Sequence, residues 1–423
     1  MEDETIIYEL ATSIRKRIKN LPPLSPKCCI YKIPQTLKEP NKLAYTPCLI
    51  SIGPFHYGKK KLESMQKHKL RYLQNFLARN TKKTLLDYLK CINQWEEELR
   101  EYYVENIELS SKEFNEMVLL DGCFLIEFFL VWLFDKSDET DGIFKKPSLE
   151  VAIMRDILLL ENQLPFFVLD GLYNIAFGDD NLVSSPIPTL IDLCCLVLVG
   201  RREVSEKLND HQVLHLVDLM RTCYLPSLLR HPSDDSDEQD NLEFPPGVER
   251  LHDAGIKFEV AKNEQTLLNI EFNKGVLSIP RLEMEDHTES LLLNLSAFEQ
   301  CHYHFDSYIV DYVVLMDVLI SSLKDVDILM SGGIIENSLG NKEELAEVFN
   351  TICRGTTYQA NRLYYSRLCK ELNAYYNTPW HRWRATLKHD YFSNPWTIIS
   401  VIAAVMLLIL TVIQTYCTII SMK

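Results

Sequence analysis

The sequence predicts a mainly α-helical protein: a large helical domain with a small β-hairpin or sheet in its second half, followed by one C-terminal transmembrane helix. Three observations predict this. Apolar residues recur at helical spacing through most of the chain. Two neighbouring segments in the second half alternate instead, and they carry a glycine-containing turn. Near the C-terminus, an apolar stretch runs without a charge for the length of a bilayer.

The elements follow in order. Glu4 to Asn20 reads as an amphipathic helix, with Ile7, Leu10, Ile14 and Ile18 on one stripe and basic residues on the other. Leu21 to Pro26 ends it, and Ile30 to Gly58 is proline-punctuated, extended chain with a short strand. Leu62 to Asn80 and Lys82 to Leu109 are predicted helices. Ser111 to Phe134 is a third, very apolar in its second half; Asp121 and Glu127 interrupt that half, so a buried core helix is expected and not a span. Helical pattern covers Ser148 to Phe177 (broken at Pro165), Ile187 to Gly200 and Asp210 to Leu225. Residues 231–241, HPSDDSDEQDN, are acidic and polar and read as a disordered loop. Ile256 to Lys262 and Leu267 to Ile279 alternate, with Asn273-Lys274-Gly275 as a hairpin turn. Thr288 to Leu323, Lys342 to Cys353 and Thr356 to Tyr376 return to helix.

No charge lies between Asp390 and Lys423, and the 19 residues from Ile398 to Tyr416 are predominantly apolar. At about 1.5 Å per residue they reach roughly 28 Å, close to the hydrocarbon thickness. Eleven of them are Ile, Leu or Val, worth about −5 kcal/mol of insertion free energy in sum. Ile398, Val401, Val405, Leu408 and Val412 represent this span. Arg382, Arg384 and Lys388 precede it and Lys423 follows. The positive-inside rule then puts the large N-terminal part in the cytosol, as a tail-anchored protein of the plasma membrane or an endomembrane. The expected organisation is an N-terminal helix and linker over 1–29, a soluble helical domain over 30–390, and an anchor with a short tail over 391–423.

A net charge of −15 argues against nucleic-acid partners, because phosphate contacts need concentrated Lys and Arg. The 12 cysteines form no C-x-x-C pattern and include the adjacent pairs Cys28-Cys29 and Cys194-Cys195, which points to reduced, mostly buried thiols.

Several groups invite a chemical reading. His211, His215 and Asp218 fall at i, i+4 and i+7, a spacing that could ligate zinc, but Gln212 stands where a catalytic Glu would be needed and the neighbours suit an ordinary packed helix. Cys301, His302 and His304 lie close together, yet in a helix the two imidazoles face apart. Ser51 to Gly58, SIGPFHYG, lacks the order of a phosphate loop and reads as a tight turn followed by basic residues. Glu161-Asn162-Gln163 sits between apolar flanks, either a buried hydrogen-bonded network or a site. No catalytic set, metal centre or cofactor motif is predicted.

These landmarks together resemble the plant family built on domain of unknown function 247, also termed uncharacterised protein family 0481, whose members are single-pass membrane proteins. IYKIP (Ile30 to Pro34), AYTPCLISIGPFHYG (Ala44 to Gly58) and MQKHKLRYLQNFL (Met65 to Leu77) carry the N-terminal part of the likeness. DGCFLIEFF, DILLLENQLPFFVL, NLSAFEQC and the C-terminal DYFSNPWTIIS segment carry the rest. Gly53, Pro54, His56, Glu161, Asn162, Gln163, Pro165, Glu299 and Cys301 are its motif residues here. The resemblance implies a membrane-anchored protein without established enzymatic activity. It also implies a role in recognition or signalling through a protein partner, since members are linked to self-incompatibility in grasses. The competing expectation is a membrane-bound enzyme, with Glu161, Asn162, Gln163 and His56 converging on a pocket.

Overall fold

The computed structural model describes residues 2–19, 25–135, 142–178, 189–200, 208, 212–226, 243–262, 266–303, 305–378 and 395–421. It contains two compact units. The first comprises Met1–Ile33, Pro47–Arg202 and Gln212–Leu216; the second comprises Pro34–Thr46, Glu203–His211 and Val217–Lys423. The acidic segment 231–241 lies outside the described residues.

The helices of the first unit are α1 (Glu2–Lys19), α2 (Gln66–Arg79), α3 (Leu85–Glu101), α4 (Ser111–Leu130), α5 (Pro147–Asp156), α6 (Phe166–Phe177) and α7 (Leu190–Leu198). α4 is the axis of this unit. Its start is a capping box, in which the Ser110 hydroxyl accepts from Glu113 N and the Glu113 carboxylate accepts from Ser110 N at 3.0 Å. From Phe114 on, nearly every side chain is buried, because neighbouring helices cover the whole circumference. α2 and α3 pack along it, with Tyr72 on Phe124 (ring centroids 5.0 Å) and Phe76 on Tyr88 (5.6 Å). Gly122 lets α6 approach closely, since a Cβ there would lie 2.5 Å from Leu172 Cδ1.

The two carboxylates that interrupt this apolar helix each meet a cation from α2. Asp121 pairs with Lys69, and Glu127 accepts from Arg79 Nε at 2.6 Å. Among the described residues, the Ser111–Phe134 stretch is the one helix long and apolar enough to cross a membrane, and its burial makes it the expected core helix. It ends in a π-helical turn, Val131–Asp135, where Trp132 Nε1 donates to Glu150 of α5.

The second unit holds α8 (Leu216–Tyr224), α9 (Val248–Asp253), α10 (Thr288–His302), α11 (Tyr308–Leu319), α12 (Leu323–Ser331), α13 (Lys342–Ile352), α14 (Ser366–Tyr376) and α15 (Pro395–Ser421). Its first sheet is β1 (Lys257–Val260), β2 (Glu271–Asn273) and β3 (Val276–Ile279) in the order β1-β3-β2, with β1 parallel and β2 antiparallel to β3. The expected hairpin is β2–β3. Lys274 (φ 49°) and Gly275 (φ 82°) occupy its two central positions, where a two-residue turn needs positive φ. A second sheet pairs β4 (Leu282–Met284) in parallel with β5 (Ile335–Asn337).

Several predicted helices are shorter. The span Lys82 to Leu109 stops at Glu101, and Thr288 to Leu323 divides into α10 and α11 around residues 303–307. Thr356 to Tyr376 is helical from Ser366, preceded by a 3-10 turn at Ala360–Arg362. Among the described residues of Asp210 to Leu225, the helix covers Leu216–Tyr224 and Gln212–His215 lie outside it. The backbone ahead of it is taken by tertiary bonds, with Leu214 O accepting from Phe166 N at 2.8 Å and Leu216 N donating to Gln163 Oε1 at 3.1 Å.

The predicted C-terminal span falls in α15, where the continuous apolar run among the described side chains is Ala403–Thr415. Within that run Val405, Leu408 and Val412 are exposed, whereas the side chains of Ile398 and Val401 lie outside those described.

Candidate functional site

The sequence motifs of the first unit meet in one buried polar cluster, organised around irregular chain from Cys48 to Gly53. That segment has no sheet partner, so its N–H groups need other acceptors. Asp156, fully buried at the end of α5, supplies three: its carboxylate accepts from Cys48 N (3.1 Å), Leu49 N (2.7 Å) and Ile50 N (3.0 Å). Asn162 takes the next position. Its Oδ1 accepts from Ile52 N at 2.7 Å, while its Nδ2 donates to Ile50 O and Asp156 O. Asp121 then accepts from Gly53 N at 2.8 Å, and Lys69, held by Asp121, donates to Ser51 O. These backbone groups thus find side-chain partners, which avoids a cost of about 1–3 kcal/mol per unsatisfied group.

Glu161 and Gln163 do the same for other segments. Glu161 Oε1 accepts from Ile33 N at 3.0 Å, and its Oε2 lies 3.4 Å from His56 Nε2. Gln163 Nε2 donates to Ile157 O, Leu159 O and Asn162 O, while its Oε1 accepts from Leu216 N. His56 is buried in the 3-10 turn Pro54–His56, which begins at Pro54, and its Nδ1 is 2.6 Å from Lys59 Nζ. Pro165 precedes α6 with extended backbone (φ −56°, ψ 136°) and its carbonyl accepts from Val168 N.

Gly53 is required where it stands. Its φ is +71°, and a Cβ there would lie 2.3 Å from Gln163 O, the same carbonyl that accepts from the Tyr103 hydroxyl at 3.1 Å. Burial drives the Tyr103 hydroxyl well above its ordinary pKa, with the Asp121 carboxylate adding to the effect, so it stays protonated as a donor. Burial also raises the Asp121 carboxyl, opposed by the Lys69 ammonium and the Gly53 N–H.

Glu299 and Cys301 belong to the second unit. Glu299 accepts from Arg221 Nε at 2.7 Å and Val310 N at 3.0 Å, and burial raises its pKa against the lowering effect of Arg221. Arg221 also stacks over Tyr303, whose hydroxyl donates to Asp218 at 2.9 Å. Asp218 is therefore part of this buried cluster, while His215 belongs to the first unit, 3.2 Å from Cys29 O through Nε2. His211 and His304 lie outside the described residues. Cys301 is half-buried in α10, its thiol pushed up to about 11 by burial. Among the described residues no group of three His, Cys, Asp or Glu side chains is placed to hold a metal. Each described cysteine is a free thiol, and Cys29, Cys123, Cys194, Cys195, Cys223 and Cys369 are buried.

The geometry brings Gly53, His56, Glu161, Asn162 and Gln163 together. It adds Lys69, Tyr103 and Asp156, and it gives Asp121, seen in the sequence only as an interruption of the apolar helix, a place in the cluster. Asp121 and Asp156 adjoin apolar runs, the signal that flagged Glu161, whereas Lys69 and Tyr103 stand among polar neighbours and carry no such signal. What the cluster does chemically is to satisfy and fix backbone. Most of the polar contacts of its carboxylates and amides run to N–H and C=O groups of their own chain, with Glu161 Oε2 near His56 and Asp121 on Lys69 as side-chain contacts.

A family model described as a plant protein of unknown function, DUF247, matches residues 30–410. The chain is 32% identical to UPF0481 protein At3g47200 of Arabidopsis thaliana, over 93% of this chain and 87% of that one. It is 23% identical to putative UPF0481 protein At3g02645 of the same plant, over 93% of this chain and 90% of the relative. No solved structure matches. With the model spanning nearly the whole chain, the protein belongs to the DUF247 family of plant proteins.

Proposed function

We propose that this protein is a membrane-anchored recognition or signalling component, in which α15 holds a rigid helical platform at a membrane for a protein partner. The observation that carries this reading is the exposed apolar run of α15. Val405, Met406, Leu407, Leu408, Ile409, Leu410, Val412 and Ile413 are each about half exposed or more, and no Asp, Glu, Lys or Arg lies between Asp390 and Lys423. Water-exposed apolar surface of that extent needs a cover, and a helix of 27 residues, Pro395–Ser421, has the length for a bilayer. Arg382, Arg384 and Lys388 on its N-terminal side favour a cytosolic platform.

The platform reading is supported by the use made of the polar motif residues. An enzyme centred on Glu161, Asn162 and Gln163 would need those side chains turned toward a substrate, whereas the Asn162 and Gln163 amides and Glu161 Oε1 are engaged with backbone groups and Glu161 Oε2 lies beside His56. Protease digestion of sealed plant microsomes tests the orientation: the platform is expected to be degraded, and its protection would overturn the cytosolic assignment.

A further inference from the structure

We infer that α1 is a self-association element, which pairs antiparallel with α1 of a second copy of this chain. The helix spans Glu2–Lys19, and one side of it is apolar and uncovered: Ile6, Ile7, Leu10, Ile14 and Ile18 are all between 44% and 64% exposed. At 100° per residue these five and Ala11 fall within one arc, the pattern of a helix that buries a face against a partner.

The charges identify the partner. All four acidic residues, Glu2, Asp3, Glu4 and Glu9, stand in the first half of the helix; all four basic residues, Arg15, Lys16, Arg17 and Lys19, stand in the last two turns. The asymmetry suits the helix dipole, which helps an uncovered helix to persist. It also makes the helix its own complement when reversed. A two-fold axis passing near Leu10 sets Ile7 of one copy toward Ile14 of the other. It sets Glu4 near Arg15 on the same flank. Such an isologous arrangement closes on itself as a dimer. An anionic lipid surface fits less well, because the acidic half would face like charge along half the helix length.

The test uses the full chain in detergent and measures its mass by light scattering across a dilution series. Wild type is expected to run as a dimer that dissociates on dilution. A variant with Glu2→Lys, Asp3→Lys and Glu4→Lys, and one with Arg15→Glu, Lys16→Glu and Arg17→Glu, should each dissociate at a concentration at least about tenfold higher. Mixing the two variants should restore the dimer as a heterodimer, a result that loss of helix alone would not give. Leu10→Glu, which leaves both halves' charges in place, should also weaken the wild-type dimer. The inference is overturned if wild type is monomeric throughout, if charge reversal leaves the dimer unchanged (as pairing through α15 would), or if mixing fails to restore it. It is equally overturned if hydrogen exchange shows α1 protected only when phosphatidylserine vesicles are added, which would make it a lipid contact. None of these outcomes depends on α15 being an anchor.

Discussion

Lys69 of α2 and Asp121 of α4 form an ion pair inside the first unit, with each side chain only 1% exposed. The pair sits beneath the irregular segment it supports, with Asp121 accepting from Gly53 N and Lys69 donating to Ser51 O. Two charges taken so far out of water cost several kcal/mol each, and the four-way arrangement is what offsets that cost.

The first prediction follows from that balance. Lys69→Met leaves the Asp121 carboxylate without its cation, and Asp121→Asn leaves the ammonium without its anion. Each is expected to cost about 3–5 kcal/mol in urea unfolding. Lys69→Met combined with Asp121→Leu should lose less than the sum of the singles, because no orphan charge remains. Additive losses would mean that the two side chains do not act as a pair.

Gly53 and Gly58 make a matched comparison. Both have positive φ, 71° and 73°, but a Cβ on Gly53 meets Gln163 O at 2.3 Å, while one on Gly58 meets nothing within 4 Å. Gly58→Ala should therefore cost about 1 kcal/mol, the conformational penalty alone. Gly53→Ala should cost on the order of 3 kcal/mol or more, since the LENQ segment must move as well. Thermal unfolding of the two variants reads the difference, and equal shifts would contradict the close approach of the two motifs.

Asp311 gives the second unit a pH dependence of predictable sign. Burial lifts its carboxyl to about 7, partly opposed by the Tyr364 N–H it accepts at 2.6 Å. Between its unfolded pKa near 4 and about 7, the folded state holds the extra proton, so this group's contribution favours folding at low pH and is lost as pH rises through about 7. Asp311→Asn keeps an acceptor for Tyr364 N and cannot ionise. Relative to wild type it should gain stability as pH rises from 5 to 8, on the order of 1–3 kcal/mol in urea titrations. A pH-independent difference would show that Asp311 does not titrate in that window.

Much of the architecture was legible from local rules. The type of the Asn273-Lys274-Gly275 turn, the Ser110–Glu113 cap and the buried state of Ser111–Phe134 each follow from residues a few positions apart. The parallel pair β4–β5 was not legible, because three-residue strands joined by Leu282–Ile335 pairing carry no period of their own. Neither was the non-helical stretch before Leu216, where Phe166 and Gln163 claim the backbone. In the polar cluster the composition showed that Glu161, Asn162 and Gln163 needed partners. Which backbone groups they hold depends on contacts across 110 residues of chain, as between Ile52 and Asn162, and only the fold supplies those.

Anchoring through α15, as proposed, is tested most directly by alkaline carbonate extraction of plant microsomes. The full chain should stay in the membrane pellet. A variant carrying Leu408→Arg and Val412→Arg, each costing about 2.5–3.5 kcal/mol near the bilayer centre, should move to the supernatant with its platform folded. Release of the wild-type chain by carbonate, or equal retention of the doubly charged variant, would contradict the anchor.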